Sequence, residues 1–174
     1  RGVKAAFFHR QAFAAIRALM EMAPQFAPAY LLYGLCFEWL RGDYERAISY
    51  YDLYLNKRPE DPDGLLALGR ACIEVKRFKR IEETILPYAD RHPEEHRLLP
   101  IVGQYFLAFG RSEEASGAFE RYVERLAPSE RMLYEDIQWM ASKEELEEYR
   151  RLSETERLDF LNRFWAKRDA DILT

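Results

Sequence analysis

The sequence predicts an all-α chain, a solenoid of repeated helix-turn-helix units closed by C-terminal capping helices. Three observations predict it. Gly34, Gly69 and Gly103 lie 35 and 34 residues apart, each inside an amphipathic run. Ala12, Ala47, Ile81 and Ala115 step by 35, 34 and 34. Pro24, Pro59, Pro93 and Pro128 punctuate the same step, and no stretch alternates apolar and polar residues as a half-buried strand would. One such unit cannot bury its apolar face alone, so stacked copies share a continuous core.

The elements follow in order. Helices are expected over 4–22, 28–41, 43–57, 62–76, 78–91, 95–109 and 112–126. The first carries Ala12 and Ile16 before Pro24, the second half of an incomplete copy. The first full copy reads Tyr30, Tyr33-Gly34 and Phe37, then Ala47, Tyr51 and Pro59. The second reads Leu65, Leu68-Gly69 and Cys72, then Ile81, Ile85 and Pro93. The third reads Leu99, Val102-Gly103 and Phe106, then Ala115, Phe119 and Pro128. The glycine lets a neighbouring helix approach, at a cost of roughly 1 kcal/mol in helix propensity that packing must return. Ile81, in a slot otherwise held by Ala, should push its helix pair apart. Prolines cannot continue a helix and mark the hand-over between units. Gly42-Asp43 and Gly110-Arg111-Ser112 make turns inside a unit, with Asp43 and Ser112 as natural N-caps. Residues 1–128 thus form the array: a partial repeat at 1–27 and repeats at about 28–61, 62–95 and 96–128. Residues 129–174 form a C-terminal helical extension that caps the array or leads into a further domain. There, Ser142-x-x-Glu145 and Ser153-x-x-Glu156 read as capping boxes that start helices near 143 and 154. The second of these helices places Leu158, Leu161, Phe164 and Trp165 on one face.

Composition narrows the function classes. At 48% apolar and 32% charged, the chain has the make-up of an ordered protein. A net charge of -4 supplies no electrostatic reason to bind nucleic acid or an anionic membrane. No apolar run reaches the length that spans a bilayer. Contact with a membrane is expected only through a partner or through segments outside this chain. The chain opens at Arg1, inside a helical pattern, with no initiator Met and no signal-peptide pattern, so targeting is not read from it. Cys36 and Cys72 lie in apolar helical runs and read as buried free thiols.

The 34-residue order of Gly, Ala, aromatic and Pro positions over residues 5–128 resembles the tetratricopeptide repeat (TPR) family. The second copy departs from it at Ile81 and at Lys76, where a turn glycine is common. The first copy carries one extra residue between Gly34 and Ala47, expected in the turn. The resemblance implies a concave groove, lined by the first helix of each unit, that binds a peptide or an amphipathic helix. In this register the groove residues are Leu31, Leu35, Glu38 and Trp39, then Leu66, Arg70 and Ile73, then Gln104 and Leu107. Asp63, Glu74 and Arg97 also face the groove in this register. One mode of the family grips a terminal carboxylate with Lys, Arg and Asn side chains. Leu31, Leu35 and Leu66 stand where those groups would be needed, so an apolar ligand fixed by Arg70 and Gln104 is expected instead. Trp39 lies two residues beyond Phe37, about 200° round the helix from that packing position, and is expected to be a surface anchor.

Residues 142–169 resemble the lead-in to the GWxTD-domain family of bacterial proteins. The matching residues are Glu144-Glu145, Tyr149, Leu152-Ser153, Glu156-Arg157, Phe160-Leu161, Phe164-Trp165 and Arg168-Asp169. The GWxTD motif itself is absent, and Ala170 replaces the usual Pro. That resemblance implies a bacterial source and favours the periplasmic side of the cell envelope. A plain capping helix over the last repeat explains the same residues.

Other constellations carry little chemistry. His92 and His96 are four apart but separated by Pro93, with no third ligand evident, so no metal and no cofactor is expected. There is no Gly-rich phosphate loop, GxSxG or HExxH. Lys76-Arg77-Lys79-Arg80 is a small basic cluster, but its aromatic neighbour Phe78 holds a packing slot, and nucleic acid is not expected. The function expected is a non-enzymatic protein–protein interaction scaffold, whose partner is another protein or another region of the same chain. The alternative is an accessory module of a larger enzyme whose catalytic region lies outside this chain.

Overall fold

The structure, a computed structural model, describes residues 2–135, 137, 141–153, 156–157, 159–161 and 163–164. These residues are helical or in turns, and no strand occurs among them. The helices are α1 (Gly2–Met22), α2 (Ala27–Arg41), α3 (Tyr44–Leu55), α4 (Pro62–Glu74), α5 (Phe78–Arg91), α6 (Leu99–Ala108), α7 (Ser112–Glu124), α8 (Pro128–Glu135) and α9 (Lys143–Arg151). A 3₁₀ turn, His96–Leu98, precedes α6. The chain divides into two compact units, Arg1–Tyr122 and Val123–Thr174, the boundary falling inside α7.

In the first unit, helices adjacent in sequence from α1 to α6 pack on one another, and α2 touches α4 as α4 touches α6. One core runs through them, from Phe13 through Tyr33, Tyr51, Leu68 and Ile85 to Ile101 and Tyr105. The glycines make the close approaches that the sequence implies. A Cβ at Gly34 would stand 2.5 Å from the Tyr51 ring, and one at Gly103 would stand 2.6 Å from the Phe119 ring. Each aromatic comes from the helix that follows in the chain, Tyr51 from α3 and Phe119 from α7. Gly69 differs: its nearest neighbour is Ile101 of α6, at 2.5 Å. Ile85 stands in sequence register with Tyr51 and Phe119, but at Gly69 the nearest atoms come from α6 instead.

The turns also repeat. Gly42, Lys76 and Gly110 all adopt positive φ (61°, 56° and 70°) after the first helix of a unit. The Arg77 N–H closes on the Cys72 carbonyl (2.8 Å) and the Arg111 N–H on the Phe106 carbonyl (3.0 Å), each spanning five residues. After α2 the Asp43 N–H reaches the Phe37 carbonyl (3.0 Å), spanning six. The extra residue of the first copy is therefore absorbed at the C-terminal end of α2. Asp43 caps α3 by accepting from the Arg46 N–H, and Asp61 caps α4 by accepting from the Gly64 N–H. Ser112, expected as a cap, is instead the first helical residue of α7, and the Arg111 carbonyl accepts the first helical bond.

Ion pairs tie one repeat to the next: Arg77–Glu45 (2.5 Å), Arg80–Asp52 (2.6 Å), Arg91–Glu60 (2.7 Å) and Arg97–Asp63 (2.8 Å). These pairs are partly or fully exposed, so solvent screens them and they mainly hold register.

The second unit has its own small core. Ile137, Phe160, Leu161 and Phe164 are buried and pack with Ala141, Leu146, Tyr149 and Leu152. Both bonds of the Ser142–Glu145 capping box form (2.8 and 3.2 Å), and α9 starts at Lys143. The Ser153 N–H and hydroxyl both donate to Glu156, and residues 156–157, 159–161 and 163–164 are helical. Leu161 and Phe164 share the expected buried face. Leu158, Trp165 and the Arg168-Asp169 pair lie outside the described residues.

Candidate functional site

The candidate site lies on α2, α4 and α6, the first helices of their units, and is organised by one carboxylate. Glu38 is the one buried charged side chain among the described residues, 8% exposed. It follows Phe37, which faces the core, so the turn of α2 carries it to the edge where α4 abuts. A carboxylate there requires donors on every side, and three elements supply them. From α3, the Tyr51 hydroxyl donates to Glu38 Oε2. From α4, Arg70 donates through Nε to Oε1 (3.2 Å) and through Nη2 to Oε2 (3.4 Å). From α2 itself, the Trp39 indole Nε1 donates to Oε1 (3.3 Å). Burial first, and then its bond to Glu38, pushes the Tyr51 phenol far above the ordinary tyrosine range.

The remaining predicted residues divide by exposure. Leu31, Leu35, Leu66 and Ile73 are half-buried and pack against the main core. Trp39 is 69% exposed, against 6% for Phe37 two residues earlier. Gln104 and Leu107 are exposed on α6. Glu38, Trp39 and Arg70 are thus brought together by hydrogen bonds, and the four aliphatic residues share one core. No hydrogen bond among the described residues joins Gln104 to the Glu38 group. Glu38 is too buried for wide contact with a ligand and serves to hold Trp39 and Arg70. Sequence reasoning missed Tyr51 in this group, because it assigned the residue to packing alone. An aromatic chosen as Tyr rather than Phe opposite a groove-side Glu was the available signal.

Chemically the cluster is self-neutralising. The carboxylate meets a guanidinium, a phenol and an indole, and what faces outward is an indole ring beside the outer edge of Arg70. The exposed part of the cluster is thus apolar beside a cation. Elsewhere in the first unit, His92 stacks on Tyr88 (4.3 Å) and faces Glu94 (3.1 Å), while His96 lies in the 3₁₀ turn near the Tyr122 ring. No group of three His, Cys, Asp or Glu side chains among the described residues could hold a metal ion. In the basic cluster Arg77, Lys79 and Arg80 meet Glu45, Glu83 and Asp52. Cys36 is half-buried and Cys72 buried, both as free thiols whose pKa burial raises. No helix among the described residues is long and apolar enough to cross a membrane. No protein-family model matches the chain, and no curated protein matches it.

Proposed function

We propose that the first unit is a TPR-type solenoid that serves as a non-enzymatic protein–protein interaction scaffold. Its ligand is a peptide or amphipathic helix of a protein partner, laid along the first helices. The observation that carries this reading is Trp39: a largely exposed indole whose one polar atom is already bonded to a buried carboxylate. An exposed aromatic fixed in this way loses little conformational freedom on binding, and it offers its ring as an anchor. The half-buried Leu31, Leu35, Leu66 and Ile73 on the same helices supply apolar support. Arg70, pinned by Glu38 yet part exposed, supplies a fixed donor for the ligand's backbone or side-chain oxygens.

The test is site-specific photo-crosslinking in cells with p-benzoylphenylalanine. Placed at Leu107, on a first helix, it should capture a discrete protein. Placed at Leu53, exposed on the second helix α3, it should not. A discrete adduct from position 53 with none from position 107 would put the ligand on the wrong face and defeat the proposal.

A further inference from the structure

The loops between helix pairs carry an ion-pair rung that repeats, and one rung is incomplete. Glu60 follows Pro59 and meets Arg91, which stands two residues before Pro93, at 2.7 Å. One repeat earlier, Gln25 follows Pro24 and meets Lys57, two residues before Pro59, at 3.1 Å. The contact is the same but the carboxylate has become a neutral amide, so the charge of Lys57 is left uncompensated. Its position is nevertheless fixed. The ammonium sits 5.3 Å from the Tyr30 ring centroid, and the Tyr30 hydroxyl donates to the Pro24 carbonyl (2.9 Å), which secures the facing loop. Gln25 uses one of the three ammonium donors. Arg58, next in the chain, has no side-chain hydrogen bond or ion pair with the described residues. The nearest acids in sequence are committed elsewhere: Glu60 to Arg91, and Asp61 to the Gly64 N–H. Around the two cations lies an open cleft of about 540 Å³, lined by residues 25–28 and 56–58. Its wall includes Phe26, 48% exposed.

We propose that this cleft binds the carboxylate of an acidic peptide segment on a protein partner, with Phe26 receiving an apolar side chain beside it. Charge complementarity identifies the carboxylate. The ligand's oxygens bring Lys57 the negative charge that Glu60 brings Arg91, and they accept from the ammonium donors that Gln25 leaves unused. The exposed phenyl ring, and a volume many times the ~30 Å³ share of one water, fit a peptide better than a bare ion. The site is distinct from the Trp39 face and does not rest on it.

The test is a ¹⁵N–¹H NMR titration of the whole chain with acetyl-Asp-Phe-amide. Its neutral isostere acetyl-Asn-Phe-amide and inorganic phosphate serve as comparison probes. The Asp peptide should shift the amide signals of Phe26, Lys57 and Arg58 saturably, about fivefold more tightly than the Asn peptide, and more weakly in high salt. Gln25→Glu completes the rung internally, so this variant should keep a dispersed spectrum and weaken the Asp peptide by a similar factor. Lys57→Gln should also weaken it. Trp39→Ala should leave this titration unchanged, which separates a failure here from a failure on the first-helix face. Equal binding of the Asp and Asn peptides, undiminished binding by Gln25→Glu, or phosphate binding as tightly as the Asp peptide would each overturn the assignment.

Discussion

Lys76 stands at φ 56°, where the equivalent turns carry Gly42 and Gly110. A side chain in the left-handed region costs about 1–2 kcal/mol, and glycine's looser unfolded chain takes back roughly 0.4–1. Lys76→Gly should therefore stabilise the protein by about 0.5–1 kcal/mol, read as a higher urea midpoint at unchanged slope. Cys72 and Tyr54 join Tyr51 among the buried groups that set the alkaline limit. Burial holds the Cys72 thiol up at about 11, and burial with a bond to Asp61 holds the Tyr54 phenol up at about 12. Each keeps its proton in the fold after the unfolded chain has lost it. The stability they contribute is complete below pH ~8.5 and ~10 respectively, and is lost as pH rises through about 11 and 12. Tyr54→Phe should flatten the upper part of that fall in urea titrations between pH 9 and 12, and an unchanged curve would assign it to other groups. Single residues were legible in the sequence where one pattern decided them. Trp39 at the surface followed from its angle to Phe37. The role of Glu38 did not, because two of its three partners, Tyr51 and Arg70, are 13 and 32 residues away.

At the scale of the element, the glycine contacts make a ranked prediction. Gly34→Ala adds a methyl group against a Tyr51 ring that is fully buried and tied to Glu38, so the ring cannot retreat. An overpacking cost of ~1–3 kcal/mol exceeds the ~1 kcal/mol gained in helix propensity, and the variant should be destabilised. Gly69→Ala meets mainly the terminal Cδ1 of Ile101, which can swing, and should cost less. Gly69→Leu, which cannot be accommodated that way, should cost ~1–3 kcal/mol or more. A Gly34→Ala midpoint above that of Gly69→Ala would refute this account of the packing. Helix limits were legible to within a few residues because Gly, Asp and Pro carry them chemically. The third repeat shows where this fails: a helix expected from 95 begins at Leu99 after a 3₁₀ turn. Pro100 lacks an N–H and fits only the first turn, which delays the α-helical start. The pattern of large residues over 149–164 has a local cause, since Phe160, Leu161 and Phe164 pack with Ile137 in the core of the second unit, Tyr149 and Leu152 lie against it, and Ser153 bonds to Glu156. Phe164, 4% exposed, is packing there and not a free anchor.

At the scale of the whole chain, the 34-residue step of the glycines was readable in the sequence, and at Gly34 and Gly103 it corresponds to the same close approach of an aromatic ring from the following helix. Charge relations between repeats were not readable, since an i to i+32 pairing leaves no local signature and depends on helices meeting in space. That is why the ladder of Arg77, Arg80, Arg91 and Arg97, and the gap in it at Gln25, emerged only with the structure. We propose that the face carrying Trp39 holds a protein partner. This is tested most directly by Trp39→Ala, through thermal unfolding of the variant and its affinity for the protein captured by crosslinking at position 107. An indole 69% exposed contributes little to the fold, so the melting temperature should stay near that of the parent. Affinity should fall by ~2 kcal/mol, about thirtyfold. A collapsed melting temperature would make Trp39 a structural residue, and an unchanged affinity with a normal melting temperature would place the partner elsewhere on the molecule.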